Sequence, residues 1–489
     1  MKIIKEHWYG IVVGLIILAA FILRFYNYDT RWVLAQDQAR DALIGREALS
    51  QHRIPVLGPF SQAGTFVMGP VWYWLVAAAT AIYPNSVFTP WIVLTLSFVF
   101  IVYLMILIGR EIEGKLFGVI LGIIAAISSS QVAQSTNLTN PSGVSVFSAL
   151  AVYFSIRYVK TGKSLFLFLF PFFIAIAANI HLQSIGLLSI ILVALIIKRP
   201  NLKQLIFPIF GLVIPFIPLI IFDLNHNLYD YKSMLDYYLF GQYRIYIPNR
   251  WLTYLFDYWP SAWGYIVGGT KEVGYLIISL FSLTVIYLGV FKKKISKPML
   301  SVLLPFLLIL FMLRFYRGER FPAYILFTHP FIIVLSGWVI LTLIKLNKIL
   351  GAIVFGIVIV GGMSVNLQTI KNSTNHNAVI VNDWKNQLIK KYPNKKFAVY
   401  TLKGEYKSLA LPLSLFLDVD NRINDKGMKI GIARFGKYEY QLISEDSDGF
   451  QLYNINGIQP NKLKTEWWFN ANPSAIYSET EDWFIGRKF

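Results

Sequence analysis

Long apolar runs, separated by short polar segments, fill the first three quarters of the chain. A helix needs about 20 mostly apolar residues to cross the hydrocarbon layer of a bilayer. Several runs are shorter, and we expect those helices to be extended at their ends or to cross a thinned region. The pattern predicts a mainly α-helical, polytopic membrane protein with about eleven transmembrane helices. The eleven predicted spans are Trp8–Phe25, Phe88–Gly109, Leu116–Val132, Ser142–Ile156, Leu165–Asn179, Leu182–Ile197, Leu205–Phe222, Val273–Phe291, Met299–Leu313, Ala323–Ile344 and Ile349–Val365.

One further apolar segment, Pro70–Tyr83, is short, and a run of this length is more often interfacial or re-entrant than spanning. Three aromatic residues near its start suit the headgroup layer. With this segment excluded, the loops on one side of the membrane contain 16 Lys and Arg residues and three acidic residues. These loops are the N-terminus, 110–115, 157–163, 198–203, 292–297 and 345–348. Because basic loops stay cytoplasmic, the sequence predicts a cytoplasmic N-terminus and an extracytoplasmic C-terminus in the plasma membrane.

Two long outer loops follow from this topology, over residues 26–87 and 223–272. The second loop is rich in aromatic residues, which predicts amphipathic helices that lie on the membrane. We therefore predict a transmembrane domain over 1–365 that contains both of these loops.

The remaining residues, 366–489, are polar and predict a small extracytoplasmic α/β domain. Its segments KKFAVYTL and MKIGIARF, which begin at Lys395 and Met428, are typical of strands. The segment LALPLSLFL, from Leu409, is compatible with a strand or a short helix, because periodicity does not separate the two in short apolar runs.

The composition excludes several kinds of chemistry. The chain has 489 residues, of which 15% are charged, whereas soluble domains carry about 25%. Its net charge of +19 is explained by basic loops that face anionic lipid, so we expect no nucleic-acid partner. The absence of cysteine excludes disulfides, thiolate metal sites and cysteine nucleophiles. No histidine pair has metal-ligand spacing, so no metal site is predicted, and no Walker, GxGxxG or GxSxG motif occurs.

Residues 34–49, LAQDQARDALIGREAL, place charged residues close to the first span. In a helix, Asp37, Arg40 and Asp41 would share one face. One interpretation is an interfacial helix with an ion pair worth about 0.2–0.5 kcal/mol. The other is a carboxylate, Asp37, that takes a proton from an attacking hydroxyl, with Arg40 holding a phosphate or orienting the base.

Three further polar clusters fall at predicted outer boundaries. RFYRGERFPAY holds Arg314, Arg317 and Arg320, whose guanidinium groups suit phosphate, although they could also anchor the chain to lipid headgroups. His181 lies in a polar break between two spans, and QVAQSTNLTN, which ends at Asn140, is also compatible with a simple capped turn. Together, the clusters suggest a reaction in which a lipid phosphate leaves while a hydroxyl attacks the carbon to which the phosphate was bound.

The order of these features resembles that of the GT-C fold glycosyltransferases that use polyprenyl-phosphate sugars, especially the protein O-mannosyltransferase and lipid A aminoarabinose transferase branch. The segment WVLAQDQARDALIGREAL, from Trp32, is similar to the family's segment after its first span. Asp37 matches the catalytic aspartate and Arg40 the arginine. Gln38 stands where the family has a second acid, and Asp41 stands where it has an aromatic residue.

Other motifs extend this resemblance over about 360 residues and a soluble tail. MGPVWYWL, from Met68, is similar to the family's KPPLYYWL, and GREIEGKLFG, from Gly109, to its GRRLFG-type loop. Asn140 occupies the place of a family aspartate, and His181 that of a histidine in an outer turn. RGERFPAYILFTHP, from Arg317, resembles the family's late loop of arginine, tyrosine and proline.

The resemblance implies an inverting sugar transfer with Asp37 as general base. It also implies a set of residues that bind the donor and its phosphate: Gln38, Arg40, Asp41, Asn140, His181, Arg314, Arg317, Arg320 and Tyr324. No cofactor would be required, because a lipid-linked sugar is already activated, and a divalent metal is left open. The implied partners are a polyprenyl-phosphate sugar, the bilayer, and a lipid, glycan or protein acceptor.

Three alternatives remain at this point. A transporter or flippase for a lipid-linked sugar would carry charged residues deep in several spans or inverted repeats, and the sequence has neither. A polymerase or ligase of surface glycan would share the donor chemistry but transfer a larger glycan. A purely structural membrane protein would leave Asp37 and the outer arginines unexplained. The sugar and the prenyl length are left open.

Overall fold

The computed structural model describes residues 2–61, 64–241, 250–316, 321–401, 409–434, 438–458 and 469–481. Apolar helices form most of this structure, and a small mixed sheet lies in its C-terminal part. The helices before the sheet are α1 (Lys2–Phe25), α2 (Tyr28–Arg31), α3 (Gln36–Ser50), α4 (Val71–Ile82), α5 (Thr89–Glu113), α6 (Lys115–Ile127), α7 (Ser129–Gln134), α8 (Asn140–Thr161), α9 (Ser164–Ile180), α10 (Leu188–Ile197), α11 (Ile206–Val213), α12 (Ile217–Asn225), α13 (Tyr229–Leu239), α14 (Arg250–Thr253), α15 (Trp259–Val267), α16 (Lys271–Val285), α17 (Lys297–Phe315), α18 (His329–Leu346), α19 (Lys348–Asn372) and α20 (His376–Lys391). Short 3₁₀ segments lead into α10 and α18, at Leu182–Leu187 and Pro322–Thr328.

All eleven predicted spans are helical. Within the described residues, eight helical stretches are long and apolar enough to cross a membrane. The other three predicted spans correspond to shorter apolar helices, Lys115–Ile127, Ser164–Ile180 and Leu182–Ile197. The count of eleven is therefore not confirmed, although a polytopic membrane protein is.

The end of α6 shows why one of these spans is short. Arg24 of α1 is fully buried, and its guanidinium donates hydrogen bonds to the carbonyls of Ala125 and Ala126 at 3.2 and 3.1 Å. Carbonyls at a helix C-terminus lack partners within their own helix. Arg24 satisfies two of them, and Ser128 then caps the start of α7 through the backbone N–H of Gln131.

The aromatic second loop is only partly a surface element. Its helix α15 packs against α16 and α18, and Trp259 and Trp263 are buried. The indole N–H of Trp263 donates to Ser336 Oγ of α18 at 2.8 Å. The expectation that this loop lies on the membrane is therefore wrong for α15, because its tryptophans fill space between helices.

The C-terminal part contains two further helices and five strands. These are β1 (Phe397–Thr401), α21 (Ala410–Val419), β2 (Met428–Arg434), β3 (Gln441–Glu445), β4 (Phe450–Asn454), β5 (Phe469–Asn470) and α22 (Pro473–Glu481). The strand order is β3-β4-β2-β1-β5, with β1 and β2 parallel and the other pairs antiparallel. Both predicted strands are confirmed, and the ambiguous segment from Leu409 forms α21.

The predicted helix over 34–49 is confirmed as α3, which packs against α4 on one side and against α21 and α22 on another. Small residues make the contact with α4 close. A Cβ at Gly45 would meet Val76 Cγ1 at 2.9 Å and the backbone nitrogen of Ala77 at 3.2 Å. Because α3 contacts the C-terminal helices, the first loop and the tail lie at the same end of the bundle. That this end is extracytoplasmic stays a prediction, and the predicted domain boundary at 365 falls inside α19.

Candidate active site

A cavity of about 700 Å³ opens beside the N-terminal half of α3. Five residues selected from the sequence line it, although they are spread over almost 290 positions: Asp37, Arg40, Asn140, His181 and Tyr324. The fold therefore brings four separate polar clusters to one place. Two walls can be distinguished. The polar wall is formed by α3 and the turn between α7 and α8, and the aromatic wall by α13, the end of α17 and residues 321–324.

A network of charged groups fixes the α3 part of the polar wall. Arg40 Nη1 donates to Asp37 Oδ1 at 2.9 Å, while Arg40 Nε and Nη2 donate to Asp41 Oδ1 at 2.9 and 2.7 Å. Asp41 is fully buried, and its Oδ2 accepts the indole N–H of Trp72 at 2.7 Å. The Asp37 side chain is 41% exposed, and its Oδ2 has no hydrogen-bond partner among the described residues. Asp37 therefore presents one open carboxylate oxygen from a fixed side chain.

Burial and neighbouring charges have opposite effects on the pKa values of the groups in this network. Burial raises the pKa of the Asp41 carboxyl to about 6, and the adjacent Arg40 guanidinium limits this rise. Burial alone would lower the pKa of Arg40, but the carboxylates of Asp41 and Asp37 outweigh it and hold that pKa above its usual value. Above about pH 6 the Asp41 carboxyl is thus ionised, and its charge is paired with that of the Arg40 guanidinium.

Amide and hydroxyl groups continue the polar wall. Gln38 Nε2 donates to Asn137 Oδ1 at 2.6 Å, and Asn137 Nδ2 donates to Gln134 Oε1 at 3.1 Å. Ser142 Oγ also donates to Gln134 Oε1, at 2.9 Å. Asn140 Nδ2 donates to the carbonyl of Ile180 at 3.0 Å and ties the start of α8 to the end of α9. Of the four amide side chains, Gln134, Asn137 and Asn140 line the cavity, whereas Gln38 does not.

Ring contacts form the aromatic wall. The rings of His181 and Tyr324 lie 5.0 Å apart between centroids, and Tyr324 contacts Phe321 edge to face at 5.3 Å. The hydroxyls of Tyr237 and Tyr316 are 2.7 Å apart and join α13 to the end of α17. Burial lowers the pKa of His181 to about 4, so its imidazole is neutral at physiological pH.

Two buried polar residues hold the segments 57–61 and 64–69, which supply part of the cavity lining. Asp230 of α13 is fully buried, and its Oδ1 accepts the backbone N–H of Val67 at 2.7 Å. Burial raises the pKa of Asp230 to about 7. Asn179 accepts the N–H of Gly69 with its carbonyl at 2.9 Å and the N–H of Val71 with its side chain at 3.1 Å.

Several predicted site residues lie elsewhere. Asp41 and Gln38 are buried behind the polar wall rather than on it, because that part of α3 faces Trp72 and Asn137. Arg314 is not part of the described lining, and its guanidinium lies 3.8 Å from the ring centroid of Trp251. Arg317 and Arg320 lie outside the described residues. Tyr316 and Phe321, on either side of that segment, line the cavity.

Part of the site could not be identified from the sequence. Gln134 and Asn137 lie in the polar segment that ends at Asn140, but neither stands out within it. Asp230 and the tyrosines Tyr237 and Tyr238 of α13 also carry no distinguishing sequence motif. The only local signal for these was the aromatic richness of the second loop, which does not identify individual residues.

No family model matches the chain, and no curated protein matches it. Among solved structures, the chain is similar to ArnT from Cupriavidus metallidurans in the apo state, with a TM-score of 0.62 and 12% identity over 91% of this chain and 99% of that one. It is similarly close to the same protein bound to undecaprenyl phosphate, with a TM-score of 0.61 and 13% identity over the same shares. The Archaeoglobus fulgidus oligosaccharyltransferase in the apo form aligns with a TM-score of 0.49 and 12% identity over 81% of this chain and 59% of that one. The predicted GT-C fold is confirmed.

Proposed function

We propose that this chain is a membrane glycosyltransferase that moves a sugar from a polyprenyl-phosphate donor to an acceptor hydroxyl on the outer side of the membrane. The observation that carries the proposal is the single cavity that joins Asp37 and Arg40 to Asn140, His181 and Tyr324. The fold supports it, because a solved protein of this fold binds undecaprenyl phosphate.

In the proposed reaction, Asp37 acts as the general base. Its open oxygen accepts the proton of the acceptor hydroxyl, and the acceptor oxygen then forms a bond to the anomeric carbon of the donor sugar. The bond between that carbon and the phosphate oxygen breaks, and its electron pair leaves with the polyprenyl phosphate. Attack opposite the leaving group inverts the anomeric configuration. A positioned base contributes about 10²- to 10⁴-fold to such a step.

Arg40 and Asp41 orient the base in this proposal. Arg40 bonds one oxygen of Asp37 and leaves the other for the acceptor. Asp41 takes two of the Arg40 nitrogens as donors, and so holds the guanidinium in place and balances its charge. We therefore assign Asp41 to the support of Arg40 rather than to substrate contact.

The donor would lie across the cavity from the base. We propose that Arg317 and Arg320 bind its phosphate, with Arg314 nearby, because guanidinium groups match phosphate oxygens and stabilise charge on the leaving group. Tyrosine rings such as Tyr238 and Tyr324 would pack against the faces of the sugar ring, and the amides of the polar wall would bind sugar hydroxyls.

We propose that the reaction requires no cofactor. Among the described residues, no group of three His, Asp or Glu side chains is placed to hold a metal ion. Among the described residues that line the cavity, Asp37 carries the one carboxylate. Turnover measured in excess EDTA, with and without added Mg²⁺ or Mn²⁺, tests whether a divalent ion takes part.

The experiment that tests the function compares the wild-type protein with Asp37→Asn. Each is purified and incubated with a panel of polyprenyl-phosphate sugars and with lipid, glycan and peptide acceptors, and the release of free polyprenyl phosphate is measured. Asparagine keeps the shape of the side chain and removes the base, so we expect turnover to fall by about 10²- to 10⁴-fold. Asp383→Asn is the matched control, because Asp383 is an exposed carboxylate on α20, and it should keep the wild-type rate.

Equal turnover by wild type and Asp37→Asn would contradict the role of Asp37. Donor binding by both forms without turnover, with every acceptor, would instead favour a transporter of lipid-linked sugars.

A further inference from the structure

The helix that carries the proposed base, α3, faces the cavity with one part and the C-terminal helices with another. Toward its N-terminus, α3 presents Asp37 and Arg40 to the cavity. Away from the cavity it packs against α21 and α22. These two C-terminal helices begin at Ala410 and Pro473, so more than 350 residues separate α3 from its support.

A partly buried ion pair lies at the centre of this contact. Arg46 Nε of α3 donates to Asp418 Oδ2 of α21 at 2.5 Å, and the two side chains are only 15% and 20% exposed. Arg46 Nη2 also donates to the carbonyl of Asp418, at 3.4 Å, and Nη1 to the carbonyl of Pro84. One guanidinium thereby joins α3, α21 and the turn before α5. Partly buried pairs are screened by salt less than surface pairs.

The two ends of α3 are held by the same part of the chain. The helix begins after Ala35 without a side-chain cap. Asn375 and Asn377, at the start of α20, donate their side-chain N–H groups to the carbonyls of Trp32 and Leu34 at 2.6 and 2.8 Å. Beyond the other end, Tyr477 of α22 donates its hydroxyl to the carbonyl of Arg53 at 2.9 Å.

We infer that the C-terminal part of the chain positions the active site by holding α3 from behind, with Arg46 and Asp418 as the central positioning pair. This inference rests on the proposed function in one respect, namely that Asp37 is the reacting group of α3. A displacement of about 1 Å at a reacting group can cost about 10²-fold in rate. Loss of the support should therefore lower kcat, with little change in the KM for the acceptor.

Charge reversal of the pair tests this directly in the full-length protein. We would compare Arg46→Asp, Asp418→Arg and the double reversal, and measure kcat, KM and the amide hydrogen exchange of residues 32–50. Each single reversal should speed exchange over this stretch and lower kcat by about tenfold or more, while the acceptor KM stays within about twofold. The double reversal restores an ion pair and should recover most of both losses.

An ion pair outside this support offers the matched control. Lys345 of α18 and Glu113 of α5 are 2.8 Å apart, and neither belongs to α3, α20, α21 or α22. Reversal of Lys345 should leave the exchange of residues 32–50 and kcat at wild-type values. If a reversal variant fails to fold, two milder variants replace it: Asp418→Asn keeps the side-chain shape, and Arg46→Lys keeps the charge. The same comparison applies to them, with a smaller expected loss of kcat and a smaller increase in exchange.

The outcomes separate the inference from the proposed function. Single variants that keep wild-type exchange and kcat overturn the inference, and so does a double variant as slow as the singles. If the wild type shows no turnover, the proposed function fails, whereas faster exchange in the single variants still supports the positioning of α3.

Discussion

The two walls of the cavity are built by different means. Hydrogen bonds connect side chains of the polar wall to buried residues behind it in two series, from Asp37 through Arg40 and Asp41 to Trp72, and from Gln134 through Asn137 to Gln38. On the aromatic wall, contacts between rings dominate, and the hydroxyl pair of Tyr237 and Tyr316 is a directional bond within it.

This difference suggests that the two walls have different roles in the proposed reaction. Charge-assisted hydrogen bonds are directional and roughly twice as strong as neutral ones, whereas a pair of aromatic rings contributes about 0.5–1.5 kcal/mol beyond the area it buries. The polar wall suits a base that must meet one hydroxyl in one geometry. In the proposed reaction, the aromatic wall would hold a lipid-linked donor that enters from the bilayer and leaves as its phosphate. Changes in the polar wall should therefore affect kcat, and changes in the aromatic wall should affect KM.

Among the residues that do not line the cavity, Asp41 should have the largest effect on kcat when its charge is removed. In Asp41→Asn, Arg40 loses its buried anionic partner, so Asp37 loses its fixed position, and we expect kcat to fall by about 10²-fold. The wild type should also lose activity as pH falls through about 6, because the Asp41 carboxylate is then protonated. A pH–rate profile of both forms tests this. Wild-type turnover that stays constant from pH 7.5 to 5 would contradict the role of the Asp41 charge.

Loss of the Trp72 indole N–H, which donates to Asp41, should have a smaller effect on kcat. Trp72→Phe keeps the packing of α4 and removes the N–H that donates to Asp41 Oδ2. A hydrogen bond to a charged group contributes about 1.5–3 kcal/mol, and we expect kcat to fall by about tenfold with KM unchanged. Trp74→Phe is the control, because the Trp74 N–H donates to the carbonyl of Pro55 and not to the network. Equal rates for the two variants would show that the bond to Asp41 has no role in turnover.

Changes in the aromatic wall should alter the KM for the donor. Tyr237→Phe removes one hydroxyl of the pair with Tyr316 and keeps the ring. A neutral hydrogen bond contributes about 0.5–1.5 kcal/mol, so we expect the donor KM to rise by about threefold while kcat stays near wild type. Steady-state kinetics at saturating acceptor measure this. A fall in kcat with an unchanged donor KM would contradict the division between the walls.

The smallest effect concerns stability rather than turnover. Asp230 is protonated in the folded protein up to about pH 7, whereas an exposed aspartate loses its proton near pH 4. Between these values the folded state binds more protons than the unfolded state, so stability falls as pH rises. Asp230→Asn removes this contribution and should raise Tm at pH 7.5 by about 2 °C relative to wild type, with less difference at pH 5.

Thermal unfolding in detergent at both pH values tests this prediction. Asp236→Asn, an exposed change on the same helix, is the control. A Tm difference between wild type and Asp230→Asn that does not change with pH would contradict it.

The helices and the charged face of α3 could be predicted because they depend on residues that lie close together in the sequence. Apolar runs gave the helices, and the spacing of Asp37 and Arg40 gave the charged face of α3. The segment from Leu409 stayed ambiguous because leucine, alanine and proline in so short a run fit a strand or a helix. Pro412 falls in the first turn of α21, where proline is tolerated.

Contacts between distant segments could not be predicted in this way. The pairing of Arg46 with Asp418 joins residues 372 positions apart, and neither position stands out in its own segment. The same holds for Asp230, whose burial depends on a loop 163 positions earlier. The sequence places Asp41 beside Asp37, but only the packing of α4 shows that Asp41 faces a tryptophan instead of the cavity.

The Arg46–Asp418 contact also sets an order in time. A ribosome adds about 5–20 residues per second, so the 372 residues between the two partners take roughly 20–75 s to synthesise. During that interval α3 is already present beside the growing bundle, but the helix that supports it does not yet exist. If the C-terminal part positions α3, a nascent or truncated chain would contain the residues of the polar wall without their working geometry. Catalytic competence would then arrive only with the last quarter of the protein.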